Sequence, residues 1–195
     1  MEINPREIPV KERYKLLSGS ILPRPIAFVS TISKDGIPNL APFSFFTGIT
    51  SDPPTVCFAP NLNSDGTKKD TLLNIESTAE FNVHAVSEEI VQAMHQSAAG
   101  FPSNVNEFSE VGLTEAPAKL VRPPRIKEAK VSMECKLMQI LPVANTGFLV
   151  IGEVVHFYFA DDVYQDGYVN ADALNIVGRW AGYDYIKGGE KFRLK

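Results

Sequence analysis

The sequence predicts a mainly β protein, an antiparallel barrel of about six strands with a few helices inserted, and three stretches carry that prediction. Between 23 and 48 an apolar run ending in Ser30 and Thr31 enters a turn at Asp35-Gly36, and a strand-like leg returns through Asn39, Leu40, Ala41 and Pro42. An Asp-Gly pair between two such runs is a strong short-range hairpin signal, because Gly supplies the positive φ of the turn. Val131, Met133, Cys135 and Leu137 alternate with Ser132, Glu134 and Lys136, the period of a strand. A second long run, Phe148 to Phe159, follows the turn residues from Pro142 to Gly147 and makes a second hairpin.

Taken in order, residues 1–20 mix charges with few apolar positions, and Tyr14 to Leu17 suffices for one helical turn or a lead-in. Pro42 removes a ladder donor from the middle of the hairpin's return leg, which suits the edge of a sheet or a place where something other than a strand lies alongside. Thr55 to Ala59 reads as a buried strand and Asn61 to Thr67 as a dense turn. A helix is expected from about Leu72 to Ser77, then a strand over 79–86 with Phe81, Val83 and Ala85 on one face. Ser87 is placed to cap a helix running through Ile90, Val91, Met94 and Ala98 to Gly100. Residues 100–128, punctuated by Pro102, Pro117, Pro123 and Pro124, read as a loop over the barrel surface, of the kind that serves as a lid or a subunit contact. Gly152 inside the last long run marks a bulge or a bend. Tyr168 to Ile176 forms a short helix or turn before the closing segment from Gly178 to Tyr185.

With 195 residues, 44% of them hydrophobic, the chain suits a single domain over 1–195 with a sizeable core at about 20–185. A net charge of −4 without a basic stripe argues against nucleic acid as a partner. No apolar run approaches the roughly 20 residues of a membrane span, and no signal-type stretch opens the chain, so a soluble cytoplasmic protein is expected. Cys57 and Cys135 lie in apolar surroundings without metal-type spacing and read as small hydrophobes. The dinucleotide, P-loop, zincin and nucleophile-elbow motifs are all missing, and His84, His95 and His156 have no second ligand at helical or hairpin spacing. An enzyme of this composition draws its reactivity from a bound cofactor. The start of the helix after Lys69 brings together free N–H groups, two lysines and Thr71, a seat for a phosphate; the plainer reading has Asp70 or Thr67 as an N-cap and the lysines solvated.

The succession RPIAFVSTISKDGIPNLAPFSFF, DPPTVCFAP, KKDTLLNIESTAEFNV, RPPRIKEAKVSMECKL and IGEVVHFYF resembles the flavin reductase-like family. The resemblance spans roughly residues 20–185. It implies a six-stranded antiparallel split β-barrel, a homodimer, noncovalent FMN near the dimer interface, and electron transfer either from NAD(P)H or, in flavoredoxin-like members, between protein carriers. Carried onto this sequence, it places the phosphate at Lys69 and Thr71, helped by Ser30 and Thr31; the ribityl and pyrimidine side at Asn39, Leu40 and Ala41; and the ring beside Pro42, Ser44 and Phe46. Arg179 is expected to hold a flavin or nicotinamide phosphate, or else to be a plain surface arginine. Ser30 and Thr31 also read as ordinary strand residues, and Phe43 and Phe45 as core. The closing NIVGR lacks the His that some reductase members carry near the nicotinamide site.

Overall fold

Gly36 takes a φ of 84° and closes the turn between β1 (Ala27–Ile32) and β2 (Pro38–Phe43), whose register pairs Ser30 with Leu40 and Thr31 with Asn39. The computed structural model describes residues 1–189 and 191–194. The remaining strands of the main sheet are β3 (Phe46–Ser51), β4 (Pro54–Phe58), β5 (Glu80–Ala85), β6 (Val131–Val143) and β7 (Gly147–Phe159). They are ordered β2-β1-β5-β6-β7-β4-β3 with every pairing antiparallel. Pro42 thus lies on an edge strand, where a missing donor costs no ladder bond.

Two expectations need correction. The sheet has seven strands, not six: β3 was not foreseen because its polar, Gly-containing run FTGITS is exposed along nearly its whole length and shows no buried alternation. Nor does the sheet close, since no ladder joins its edges β2 and β3. These edges are separated in the chain only by Ser44 and Phe45, and the rings of Phe43 and Phe58 lie 4.9 Å apart. The sheet therefore curls until edge strand β2 packs through side chains against β4, the neighbour of the other edge.

Inside the curl, Ala27, Val29, Phe43, Phe58, Phe81, Val83, Cys135 and Val150 form the main core. Helix α1 (Val10–Ser20) is longer than the single turn expected at Tyr14 to Leu17, and of its residues only Ser18 is buried. Helix α2 (Asp70–Thr78) packs against β1 and β2 and sends Leu72 and Ile75 into the main core. Helix α3 (Val91–Ser97) begins four residues after Ser87: Ile90 occupies the capping position, and Ser87 forms a bridge with Ile176. A second core, including Ile26, Phe28, Leu40, Met94, Phe108 and Ile126, fills the space outside β1 and β2. The 100–128 segment is therefore a packed layer and not a loose lid; it contains a short helix, Glu107–Glu110, and a two-residue strand pair. Gly152 lies opposite a register shift at Leu137/Gln139, and a Cβ there would sit 2.4 Å from the Phe81 ring. The chain closes with β8 (Val177–Arg179) and β9 (Tyr185–Lys187), which pair with each other. No helix among the described residues is long and apolar enough to cross a membrane.

Candidate functional site

Helix α2 starts without help. Lys69 holds the capping position in extended backbone but makes no capping side-chain bond; Asp70 is the first helical residue, and Thr67 donates its hydroxyl to Asp65 instead. Among the described residues, the N–H groups of the first turn, at the positive end of the helix dipole, have no side-chain acceptor. This turn opens onto a cleft of about 600 Å³. Lys69, Asp70 and Thr71 line one side, Asn39, Ala41, Pro42 and Phe43 of β2 another, with the 62–65 turn and residues 97–102 completing it.

The hairpin leg and the helix start thus meet on one cleft, and the structure brings Asn39, Ala41, Pro42, Lys69 and Thr71 together there. Asn39 is 8% exposed and its amide is fully engaged: Oδ1 accepts from Thr31 at 3.1 Å and Thr71 at 2.9 Å, while Nδ2 donates to Glu107 at 2.6 Å. Asn74 donates in turn to Thr31 at 3.0 Å. Thr31 therefore stands behind the cleft wall and holds Asn39 in place. Lys69 donates to Asn63 Oδ1 at 3.1 Å and remains at the cleft surface.

Other expected residues lie elsewhere. Ser30 is fully buried on the opposite face of β1, and its hydroxyl donates to the Pro124 carbonyl at 2.6 Å. Leu40 buries its side chain in the second core, and its N–H donates to the Glu107 carboxylate. Ser44 accepts from Arg24 Nε at 3.3 Å, and Phe46 packs on the main core; neither lines the cleft. Arg179 does not line it either: its guanidinium donates to the Tyr185 hydroxyl at 2.5 Å and to the Gly182 carbonyl, and lies 4.6 Å from the centre of the Tyr185 ring.

Glu107 is the residue the sequence did not single out for the site. It lines the cleft yet is only 7% exposed, and burial, reinforced by the nearby Asp70 carboxylate, pushes its carboxyl up to about 7 against the opposing pull of its bonds to Leu40 and Asn39. Its sequence signal was modest: Asn106 caps the short helix by accepting from the Phe108 N–H at 3.1 Å, and an Asn directly before a Glu is a helix-start pattern. The bond to Leu40 also fixes the parity of β2. Because the Leu40 N–H points away from β1, positions 38, 40 and 42 all face outward, and two of these are proline. Leu40 carries the one outward N–H in that series, and Glu107 accepts it.

The arrangement can hold an anion at the start of α2 and a flat group against β2. Among the described residues no cluster of His, Cys, Asp and Glu is arranged to hold a metal ion. A family model, the flavin reductase like domain, matches residues 18–174. An uncharacterized protein of Halalkalibacterium halodurans is 42% identical over 199 residues, covering 100% of this chain and 95% of the relative. The crystal structure of nitrilotriacetate monooxygenase component B from Bacillus cereus superposes with a TM-score of 0.97 at 38% identity, covering 100% of this chain and 98% of that one. Pseudomonas fluorescens 2-nitrobenzoate 2-nitroreductase gives 0.91 at 30% identity, over 100% of this chain and 95% of that one. With most of its length matched by the family model and by these relatives, the chain belongs to the flavin reductase-like domain family.

Proposed function

We infer that this chain binds FMN noncovalently in the cleft between β2 and α2 and works as an NAD(P)H-dependent flavin reductase or oxidoreductase. The observation that supports this most is the convergence of Ala41 and Pro42 with the uncapped first turn of α2 on one cleft. Free N–H groups, the positive end of a dipole and the Lys69 ammonium suit a phosphate dianion. Pro42 and Phe43 give the neighbouring wall an apolar surface for a flat ring. The volume falls within the roughly 300–1,000 Å³ usual for cofactor sites. The two similar solved proteins are named as a monooxygenase component and a nitroreductase, both redox descriptions.

FMN supplies, when bound, the two-electron chemistry that no side chain lining the cleft offers. The chain's own residues bind and orient. Lys69 and the first turn of α2 hold the phosphate. The Thr31–Asn39–Thr71 bonds lock the helix start to β2, so the two walls keep their separation.

Purified protein should show the visible flavin absorption band and bleach anaerobically with NADH or NADPH; colourless protein that ignores added FMN overturns the reading. Lys69→Ala should weaken FMN binding about tenfold, the loss of one charge-assisted bond, as read by flavin fluorescence titration. Thr71→Ala is a poorer probe because it also strips a partner from Asn39.

A second reading, a flavoredoxin-like electron carrier without a nicotinamide site, is favoured by one observation: Arg179 directs its guanidinium to Tyr185 and Gly182, away from the cleft. Protein that bleaches with dithionite or a reduced carrier but not with NAD(P)H is the result this reading expects. The family resemblance also leads us to take the working form as a homodimer, and Ile49, Met138 and Val143 leave exposed apolar side chains on β3 and β6 for such a contact. Light scattering that gives the mass of a single chain would rule this out.

A further inference from the structure

Glu107 lies where two clefts meet. It lines the β2–α2 cleft together with Lys69 and Asp70, and a neighbouring one of about 460 Å³ that includes Lys34, Asp35, Asn39 and Asp70. Its carboxylate accepts from a side-chain amide and a backbone N–H, and no cation among the described residues is bonded to it. The charged groups facing it are Asp70 and Lys69 at the start of α2, Asp65 of the 62–65 turn, and Lys34 and Asp35 of the β1–β2 turn. Residues 97–102, packed along the same cleft, carry no charge. Among the described residues, the β2–α2 cleft is thus lined by three carboxylates, those of Asp65, Asp70 and Glu107, against the single ammonium of Lys69.

A phosphate dianion entering such a cleft meets like charge on three sides. Asp65 accepts from the Thr67 hydroxyl and N–H, which holds its carboxyl below the usual range, and Asp70 sits in the first turn of a helix. Glu107 is the buried member, and its charge is the one the surroundings resist. We propose that Glu107 is the proton-uptake site of this cleft: binding of a phosphorylated ligand transfers one proton from solvent onto the Glu107 carboxylate, so the ligand is held against a neutral acid. This rests on the cleft being the flavin phosphate site.

The coupling has a defined sign. A ligand that favours protonated Glu107 binds more weakly as pH rises above the carboxyl's value of about 7. The window from pH 7 to 8.5 isolates the effect, because a phosphate monoester with a second pKa of about 6 is already a dianion there. The neutral acid can still accept the Leu40 N–H through its carbonyl oxygen, so the β2 edge stays capped in both states.

The experiment is a titration of the full chain with FMN by flavin fluorescence across pH 6.5–8.5, with calorimetry in two buffers of different ionisation enthalpy to count protons. Wild type should lose affinity on the order of tenfold between pH 7 and 8.5 and take up a proton on binding. Glu107→Gln, which keeps an acceptor for Leu40, should change less than about twofold and take up none. Equal pH dependence in the two proteins overturns the proposal while leaving the flavin site standing; absence of FMN binding at every pH overturns both. If Glu107→Gln does not fold, Asp70→Asn decides: with one carboxylate fewer beside Glu107, the break in affinity should move to lower pH, and an unmoved break overturns the proposal.

Discussion

On β5, Phe81 and Val83 point into the curled sheet while Asn82 and His84 point outward beneath the 100–128 segment, and all four are fully buried. The inner face is covered by other apolar side chains, an attraction that depends on area and shape but on no particular atom. Much of the polar part of the outer face is matched by backbone groups, although Asn82 Oδ1 and Ser132 Oγ have no partner among the described residues. Asn82 donates to the Pro123 carbonyl at 2.7 Å, Ser30 to the Pro124 carbonyl at 2.6 Å, and the Ile126 N–H donates to His84 Nε2 at 3.0 Å. The Lys119 and Leu120 N–H groups donate to Glu134 at 2.8 and 2.6 Å. One side of the sheet is thus specified by volume and the other by direction, and the second carries the imidazole of His84.

Phe81→Ala tests the inner side most severely. Emptying a fully buried phenylalanine site should cost about 4 kcal/mol in denaturant-induced unfolding, with the whole molecule unfolding together. A loss under 1 kcal/mol would mean that the curl collapses to refill the space.

The outer side should respond next, to acid. The ring of His84 donates from Nδ1 to the Phe28 carbonyl at 2.9 Å and accepts from Ile126 at Nε2, so a second ring proton has no place to go. Burial pushes its titration down to about 4. In the unfolded chain it takes up a proton near pH 6.5, so between 6.5 and 4 the unfolded state binds more protons and stability falls with pH, by about 3 kcal/mol in all. Glu107 works in the opposite sense. Its carboxyl is raised to about 7, so the stability it contributes is complete below its ordinary range and is lost as pH climbs through that value. The two slopes oppose one another between about 4.5 and 6.5. Glu107→Gln should therefore expose a steeper acid loss than wild type, and His84→Gln should remove that loss; urea midpoints measured at half-unit pH steps would show both.

Gly152→Ala returns to the inner side with a smaller effect. The new methyl would overlap the Phe81 ring and cost about 2 kcal/mol, and combining it with Phe81→Leu should recover part of that loss, a non-additivity that equilibrium unfolding of the double mutant would reveal. The mildest test is Ser30→Ala. It leaves the Pro124 carbonyl without its donor and should cost about 1 kcal/mol, seen best as faster amide exchange confined to residues 119–129.

The same contrast explains what could be read from the chain. The inner side was legible: the Asp35-Gly36 turn, the alternation from Val131 to Leu137 and the edge position implied by Pro42 are local patterns set by sterics and burial. The outer side was not. Pro117, Pro123 and Pro124 resemble loop punctuation, yet a proline offers an acceptor with no N–H to satisfy, so a proline pair can be buried beneath Asn82 and Ser30 at little polar cost. Nothing local announces a partner 41 or 94 positions away. Half of the candidate site was legible for a similar reason. Ala41, Pro42, Lys69 and Thr71 belong to two short stretches that the helix start and the hairpin define, whereas Glu107 reaches the cleft only through the packing of Phe108 into the second core. Ser87 illustrates the opposite error, a residue of the right type whose flanking Val86 and Glu88 are tied to Val177 and Asn175 in a bridge, so the helix begins later, at Val91.

The outward row of β2 has one more effect. A strand left open at the rim of a sheet invites any extended chain to zip onto it, and here the invitation is withdrawn at every second residue by Pro38, by Glu107 holding Leu40, and by Pro42. The protein can therefore keep a gap wide enough for a ligand beside a bare sheet margin without that margin seeding fibrils or capturing a nascent polypeptide.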